Sequence, residues 1–423
     1  MTEPDGEPMS SLSGNLASPT QVSLAGIRAA RDRIADRIRF TPLLPKETLV
    51  PYAGGHPVFL KCEHLQRTGS FKLRGALNLI SQLTAEERAR GVVAASAGNH
   101  AQGVAVAASE LGVASTIFMP EDASLAKVEA TRAYGAEVRL VGDSLTAALI
   151  AARSFADSAD AVFVHPFDDD RIIEGQGTMG LELVEQLPEI ATVVLPIGGG
   201  GLAAGVATVI RELRPDCRIV GVQAAACASF AASRAAGHPV HVEARPSMAD
   251  GIAVKQPGER TFAILDRLVD VDVLVDEAEI ATAILWSMER AKQVVEGAGA
   301  APLAALLAGK VEATGPVAIV VGGGNIDPAN LVTVIRHGLS AVGRYLHIAT
   351  ALPDRPGELS RLLALLADLR VNILGVEHHR EGARIGVGET RVDLVLQTRN
   401  AAHVLEVEAA LASAGYPVLA SSV

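Results

Sequence analysis

One lysine and two segments of small residues carry the groups that could do chemistry in this 423-residue chain. Lys72 stands between Phe71 and Leu73 and follows a Gly-Ser pair. Apolar neighbours desolvate an ammonium group, and desolvation lowers the pKa of a lysine and frees its amine to act as a nucleophile or a base. A solvated surface charge is the common alternative for any lysine.

The second candidate is a turn with the sequence S-A-G-N-H, which lies between an apolar strand-like run and an Ala-rich helical stretch. Backbone N–H groups at a turn that opens a helix form a natural anion site. An ordinary strand-to-helix turn would use the same Gly and Asn, so the segment alone leaves both interpretations open. The five residues are Ser96, Ala97, Gly98, Asn99 and His100.

The third candidate is a run of four glycines at 198–201, again between a strand-like run and a helical pattern. A turn without side chains lets backbone N–H groups approach a phosphate, and the helix N-terminus adds partial positive charge. Gly199, Gly201 and Gly205 also fit a loose dinucleotide-binding spacing, which requires an acidic residue at the end of the next strand. That strand ends near Gln223, which disfavours a nicotinamide dinucleotide.

Several motifs resemble those of one family. The segment T-G-S-F-K-L-R-G-A at 68–76 resembles the signature of fold-type II pyridoxal phosphate (PLP) enzymes, in particular the serine/threonine dehydratases that carry a single ACT domain. The turn at 96–100 resembles the family's substrate-carboxylate loop, and the four glycines resemble its phosphate loop. The resemblance covers nearly the whole chain after the first twenty residues.

The resemblance implies a role for each segment. Lys72 would carry PLP covalently and remove the Cα proton of the substrate as general base. Residues 96–100 would bind the substrate carboxylate, and Asn99 would also hydrogen-bond the 3-hydroxyl of the cofactor. The residues implied to bind the cofactor are Phe71, Lys72, Asn99, Gly198, Gly199, Gly200, Gly201, Leu202 and Gly322.

Three positions depart from patterns found among these relatives. Gly322 replaces a Ser that meets the pyridine nitrogen, so the partner of that nitrogen is open. Gln223 replaces an acidic residue that binds a cation, and because an amide is the weaker ligand we predict no metal site. Ala97 replaces the Ser whose hydroxyl serves similar serine racemases on the second face of Cα. Glu296, in V-E-G-A-G-A, is either near the ring or a surface carboxylate.

The function that the resemblance implies is PLP-dependent deamination of L-threonine to 2-oxobutanoate and ammonia, and of L-serine to pyruvate and ammonia. Alternatives on the same scaffold are hydroxyaspartate dehydration, β-replacement and serine racemisation, and Ala97 disfavours the last of these. Two further alternatives are a nicotinamide oxidoreductase and a catalytically inactive amino-acid sensor.

The elements that position these residues follow from the hydrophobic pattern. Short apolar runs alternate with helical stretches between about residues 21 and 338, which predicts an α/β fold of two open subdomains with mostly parallel sheets. The first twenty residues are rich in Ser, Pro, Gly and acids and are predicted to be a flexible tail. The predicted strands lie at 91–96, 115–120, 136–141, 161–166, 192–197, 218–223 and 317–321.

The segment 344–423 follows a β-α-β-β-α-β order, which is the ferredoxin-like pattern, and it resembles an ACT regulatory domain. We predict strands at about 344–352, 372–380, 389–399 and 416–422, and helices at about 357–369 and 401–414. A passive oligomerisation domain is the alternative. An amino-acid effector, isoleucine or valine, would bind near Pro353, Asp354, Gly357 and Asn372.

Composition limits the remaining classes of function. The net charge of −11 and the lack of a basic stripe disfavour nucleic-acid binding. A charge-free stretch at 190–210 is long enough to span a bilayer, but its proline and glycines favour a strand, a turn and a helix over a membrane span. Three unpaired cysteines and an acidic N-terminus indicate a cytoplasmic protein. We expect a homo-oligomer, either dimer or tetramer.

Overall fold

The computed structural model describes residues 20–380 and 386–422. The predicted flexible tail at 1–20 lies outside these ranges except for its last residue. The strands, in chain order, are β1 (Leu43–Pro45), β2 (Val58–Cys62), β3 (Val92–Ala95), β4 (Ser115–Met119), β5 (Glu137–Leu140), β6 (Val162–Phe163), β7 (Thr192–Pro196), β8 (Arg218–Ala224), β9 (Val271–Val275), β10 (Val317–Val321), β11 (Tyr345–Pro353), β12 (Asn372–His379), β13 (Glu389–Gln397) and β14 (Val418–Ser422).

The α-helices connect these strands and cover their faces. In chain order they are α1 (Leu24–Ile34), α2 (Lys72–Ser81), α3 (Ala85–Arg90), α4 (Asn99–Glu110), α5 (Leu125–Ala133), α6 (Leu145–Ala159), α7 (Asp170–Gln186), α8 (Gly201–Leu213), α9 (Ser229–Ala236), α10 (Glu259–Leu268), α11 (Glu277–Trp286), α12 (Gly297–Leu307), α13 (Pro328–Ala341), α14 (Glu358–Asp368) and α15 (Ala401–Ser413).

The larger of two α/β subdomains is built on a six-stranded sheet of order β1-β2-β10-β7-β8-β9. Only β1 is antiparallel to its neighbour, and the other pairs are parallel. Every residue of β7 and β10 is buried, which is the pattern of central parallel strands that helices cover on both faces. The charge-free stretch at 190–210 is β7, a turn and most of α8, as predicted.

The smaller subdomain is a four-stranded parallel sheet of order β5-β4-β3-β6. Ala-rich helices cover it, with α4 in the core on one face and α6 in the core on the other. The chain leaves the large sheet after β2 and returns to it at β7, so the smaller subdomain is an insertion between these two strands. The α/β fold with mostly parallel sheets is therefore confirmed.

The C-terminal sheet has the order β12-β13-β11-β14, and all of its pairs are antiparallel. Helices α14 and α15 contribute Leu362, Leu366, Val407 and Leu411 to its core. Each predicted strand and helix of the β-α-β-β-α-β order is present, with bounds that differ by one or two residues. The predicted end of the catalytic domain at 338 lies inside α13, which continues to Ala341.

A buried cluster of charges fixes helix α2, which begins at Lys72. Arg74 donates two hydrogen bonds to Glu63, at 2.9 and 2.7 Å, and one to Glu182 at 2.7 Å. Lys61 pairs with the other oxygen of Glu182. Burial by itself would raise the pKa of Glu63, but Arg74 outweighs this effect and holds that pKa below its usual range. The cluster therefore joins α2 to both β2 and α7.

We expect Arg74→Met to destabilise the protein by about 3–5 kcal/mol, because the buried Glu63 loses its charged partner and Glu182 keeps only Lys61. The measurement is the free energy of unfolding from a denaturant titration. The matched control is Arg31→Met, which removes an exposed partner of Glu185 and is expected to cost about 0–1 kcal/mol. Equal losses in the two variants would contradict a stabilising role for the cluster.

Among the described residues, no helix is long and apolar enough to cross a membrane.

Candidate active site

Lys72 is the first residue of α2, and its amine donates a hydrogen bond to the carbonyl oxygen of Pro166 at 2.9 Å. The Nζ atom lies 5.2 Å from the centre of the Phe71 ring. Burial lowers the pKa of Lys72 to about 8, against an opposing contribution from Glu296. A position at a helix N-terminus also disfavours a positive charge. A larger fraction of this amine is therefore neutral near physiological pH than for an ordinary lysine.

The segment that carries Lys72 is paired to the turn that follows β10. Ser70 forms an isolated antiparallel bridge with Gly323. The backbone N–H of Phe71 donates to the Gly322 carbonyl at 3.1 Å, and the N–H of Gly324 donates to the Gly69 carbonyl at 2.9 Å. The lysine segment and the Gly322 turn are therefore brought together, as the cofactor-binding prediction requires.

Asn99 lies at the centre of a polar network. It is the first residue of α4, and its Nδ2 donates to Glu296 Oε1 at 2.7 Å. Its Oδ1 accepts from Asn325 Nδ2 at 2.8 Å, and the same Asn325 group donates to the Thr68 carbonyl at 2.7 Å. Burial raises the pKa of Glu296 to about 7. Glu296 is therefore a buried site residue and not a surface carboxylate.

The sequence analysis did not single out Asn325. The signal available to find it was its place in G-G-G-N directly after the apolar strand β10, since turns at the ends of parallel strands form binding crevices. The Asn325 side chain can lie close to the lysine-bearing segment because residue 69 is a glycine. It has φ of +72°, and a Cβ atom there would lie 2.3 Å from Oδ1 of Asn325.

The predicted carboxylate-binding turn has two kinds of residue. Ser96, Ala97, Gly98 and Asn99 are partly exposed, and the Ser96 hydroxyl accepts from the N–H of Gly98 at 3.2 Å. The His100 side chain is buried and turned away, with Nε2 2.9 Å from the Val164 carbonyl oxygen. Burial, with a contribution from Lys72, lowers the pKa of His100 to about 3. Only the backbone of His100 is available to an anion, at the N-terminus of α4.

The four glycines form the turn between β7 and α8. Gly200 has φ of +95°, which favours glycine, and no side chain caps the N-terminus of α8. A Cβ atom on Gly199 would lie 2.2 Å from the Phe167 ring, and one on Gly198 would lie 2.8 Å from the Cα of Ile252. Bare backbone is therefore required here. The uncapped N–H groups at the start of α8 suit a phosphate.

Phe167 connects this turn to the lysine. Its ring packs on Gly199, and the carbonyl of the preceding Pro166 accepts the hydrogen bond from Lys72. Gly322 lies nearby, because a Cβ atom on it would be 3.4 Å from the Phe71 ring and 3.9 Å from Leu202. The predicted cofactor residues from four separate parts of the chain thus converge on one place.

The predicted effector residues do not all come together. Pro353, Asp354 and Gly357 lie at one end of the C-terminal sheet, in the turn between β11 and α14. Asn372 is paired with Gln397, which is also the partner of Tyr345 at the far end of β11. Eight residues of extended strand, about 26 Å, separate the two ends. Helix α14 runs back along the sheet from that turn, so β12 begins at the opposite end. Asn372 therefore cannot contact the turn of its own domain.

The sequence predicts no metal site. Within residues 20–380 and 386–422, no group of three or more His, Cys, Asp or Glu side chains has the arrangement of a metal site. Gln223 uses its side-chain oxygen to accept from the backbone N–H of Ala231 at 2.9 Å.

Comparison with known proteins decides the family. A family model described as pyridoxal-phosphate dependent enzyme matches residues 34–323, and an ACT domain model matches residues 348–412. The chain belongs to the pyridoxal-phosphate dependent enzyme family. PLP is therefore its cofactor. The glycine turn, the lysine of lowered pKa and the Asn99 network are a set of residues that fits this group.

The relatives within this family cover almost the full chain. The L-threonine ammonia-lyase of Geobacter sulfurreducens is 48% identical over 93% of this chain and 98% of its own length. That of Thermotoga maritima is 46% identical over 94% and 99%. Among solved structures, a threonine deaminase from T.th. has 42% identity and a TM-score of 0.68, covering 72% of this chain and 99% of its own. Maize serine racemase has 35% identity and a TM-score of 0.70, covering 74% and 96%.

The lowered pKa of Lys72 predicts its reactivity in the cofactor-free protein. Because only the neutral amine is nucleophilic, labelling of residue 72 by trinitrobenzenesulfonate is expected to rise with pH through a midpoint near the pKa of about 8. Peptide mapping after short exposures at a series of pH values gives this midpoint. A midpoint at the ordinary lysine value of about 10.4 would show that burial does not perturb the amine.

Proposed function

We propose that this chain deaminates L-threonine to 2-oxobutanoate and ammonia, with PLP held on Lys72, and that it also converts L-serine to pyruvate and ammonia. The observation that carries the proposal is the convergence of the Lys72 amine, the uncapped glycine turn and the Asn99 network. The near-complete match to two L-threonine ammonia-lyases supports threonine as the substrate.

Bound PLP would supply the electron sink that makes the Cα proton of an amino acid acidic. Lys72 would act as the base for that proton, because its pKa of about 8 lies close to the operating pH. The hydrogen bond to the Pro166 carbonyl holds the amine in one position when it is not engaged.

The substrate would be held by its carboxylate at the N-terminus of α4. The first N–H groups of a helix have no intrahelical partner and favour negative charge. Asn99 would face the 3-hydroxyl of the cofactor, with its orientation fixed from both sides by Glu296 and Asn325. An amide held by two partners cannot rotate freely, so its donor and acceptor directions are set before the cofactor binds.

The phosphate would lie against the backbone of Gly198, Gly199, Gly200 and Gly201 and the start of α8 at Leu202. Phe71 and Gly322 would line the ring. Gly322 has no side chain to offer the pyridine nitrogen, which fits a reaction in which loss of a β-hydroxide does not need a fully protonated ring.

Racemisation of serine is the second candidate, and the fold does not exclude it, since the TM-scores of the racemase and the deaminase are nearly equal. Racemisation needs a proton donor on the second face of Cα. Ala97 has no transferable proton, which favours elimination. Hydroxyaspartate dehydration uses the same groups and differs only in substrate.

Three measurements test the function. Borohydride reduction of the holoenzyme followed by peptide mapping is expected to place the pyridoxyl label on Lys72, and Lys72→Ala is expected to take no label and to lose activity. Release of 2-oxo acid from threonine, serine and hydroxyaspartate then ranks the substrates, and chiral chromatography follows D-serine. A label on another lysine, or D-serine as the main product, would overturn the proposal.

Gly322 offers a test of the cofactor-facing turn. A Cβ atom there makes ordinary contacts, so Gly322→Ser is expected to keep a melting temperature within about 2 °C of wild type. The control is Gly323→Ser, whose Cβ atom would lie 2.2 Å from Glu296 Oε1 and would displace that carboxylate from Asn99. We expect the control to lose most activity. A destabilised Gly322→Ser variant would contradict the geometry of the turn.

We further propose that the ACT domain binds a branched-chain amino acid, isoleucine or valine, at the turn that contains Pro353, Asp354 and Gly357.

The unpaired edge of β12 supports assembly into a homo-oligomer, a dimer or tetramer, through such domains. Three free, buried cysteines support a cytoplasmic location. Calorimetric titration with both amino acids tests the effector, and light scattering tests the assembly.

A further inference from the structure

Helix α10, which none of the sequence motifs includes, packs against the glycine turn. Thr261 is fully buried in its first turn, and its hydroxyl donates to the carbonyl oxygen of Gly199 at 2.7 Å. A Cβ atom on Gly200 would lie 2.8 Å from the Cβ of Thr261, so the helix closes one side of the turn. Thr261 therefore both donates a hydrogen bond to the turn and limits the space beside Gly200.

The hydrogen bond sets the direction of one peptide group. In a trans peptide the C=O and the following N–H point in opposite directions. Because Thr261 holds the Gly199 carbonyl towards α10, the N–H of Gly200 points away from that helix. Gly200 can adopt its φ of +95° without strain, so a hydrogen bond to the Gly199 carbonyl can favour this peptide orientation. The Thr261 hydroxyl also lies 3.2 Å from the carbonyl oxygen of Gly258, but its contact with Gly199 is the shorter of the two.

Asp168 in turn fixes the start of α10. Its Oδ1 accepts from the backbone N–H groups of Arg260 and Thr261, at 3.0 and 3.1 Å, and so caps a helix whose own N-cap is Gly258. A Cβ atom on Gly258 would lie 2.2 Å from Asp168 Oδ1, so this cap requires glycine. Asp168 follows Pro166 and Phe167, which contact Lys72 and Gly199.

We propose that Thr261 is a positioning residue for the cofactor phosphate: it orients the Gly199–Gly200 peptide so that its N–H group faces the phosphate. Asp168 positions Thr261 by capping α10, and the same loop sets the distance from the phosphate site to Lys72. The inference rests on the proposed location of the phosphate at the glycine turn.

The test compares PLP affinity in Thr261→Val and Thr261→Ser holoenzymes. Valine keeps the shape of threonine but cannot donate, so the peptide is free to turn, and the affinity for PLP is expected to fall about tenfold. The ³¹P NMR resonance of the bound phosphate is expected to shift or broaden. Serine restores the hydroxyl and is expected to give an affinity within about twofold of wild type. At saturating PLP, kcat is expected to change less than the affinity.

The matched control is Thr131→Val. Thr131 is also fully buried in a helix and donates to a carbonyl, that of Lys127 at 2.8 Å, but it lies in α5, away from the glycine turn. Its loss is expected to leave PLP affinity and the ³¹P resonance unchanged. If Thr261→Val does not fold, Thr261→Cys, a weaker donor of similar size, is expected to fall below Thr261→Ser in affinity.

The outcomes separate the two proposals. A pyridoxyl label on Lys72 together with wild-type affinity and ³¹P resonance in Thr261→Val would overturn the role of Thr261 alone. An equal loss of affinity in Thr131→Val would do the same, because the effect would then be general destabilisation. Absence of the label from Lys72 in the wild-type protein would overturn both.

Discussion

The buried guanidinium of Arg74 makes the contacts on which the position of Lys72 depends. It sits between Glu63, which follows β2, and Glu182 on α7, and it belongs to the same first helical turn as Lys72. A buried charge that lost either partner would carry a large desolvation cost, so the cluster has essentially one arrangement. Helix α2 cannot shift without breaking that cluster. The backbone from which the Lys72 side chain extends is therefore held in place relative to the large sheet.

The site itself is assembled from turns, whereas the sheets supply only the frame. Residues 69–71 pair with 322–324, and Asn99 is held between Glu296 and Asn325. The first set joins the loop before α2 to the large subdomain. The second set joins Asn99 of the small subdomain to the large one. A group bound there would contact both subdomains. Any movement of one subdomain relative to the other would therefore change the shape of the site.

Sequence was sufficient for the parts of this architecture that repeat locally. Apolar runs predicted seven of the ten strands β1–β10 but not β1, β2 or β9. The roles of Lys72 and the glycine turn came mainly from the resemblance of their motifs to those of one family. Contacts between distant segments leave no such pattern, which is why Thr261 was not identified. Asn325 had a local signal, the glycine-rich turn after β10, but its contact with Asn99 could not be read from that turn. Two other details depend on the direction of a helix or strand in the folded chain, which composition does not encode. The His100 side chain turns into the interior, and Asn372 lies far from the β11–α14 turn.

Helix α13 gives the molecule a stiff connection between its two kinds of domain. Its N-cap is Asp327, directly after the turn that holds Gly322 and Asn325, and it ends shortly before β11 of the ACT domain. Each residue of an α-helix turns the chain by about 100° and advances it about 1.5 Å. A single inserted residue in α13 would therefore swing the entire C-terminal sheet to another side of the catalytic domain. Helical phase at this junction thus determines which surface of the enzyme the ACT domain faces.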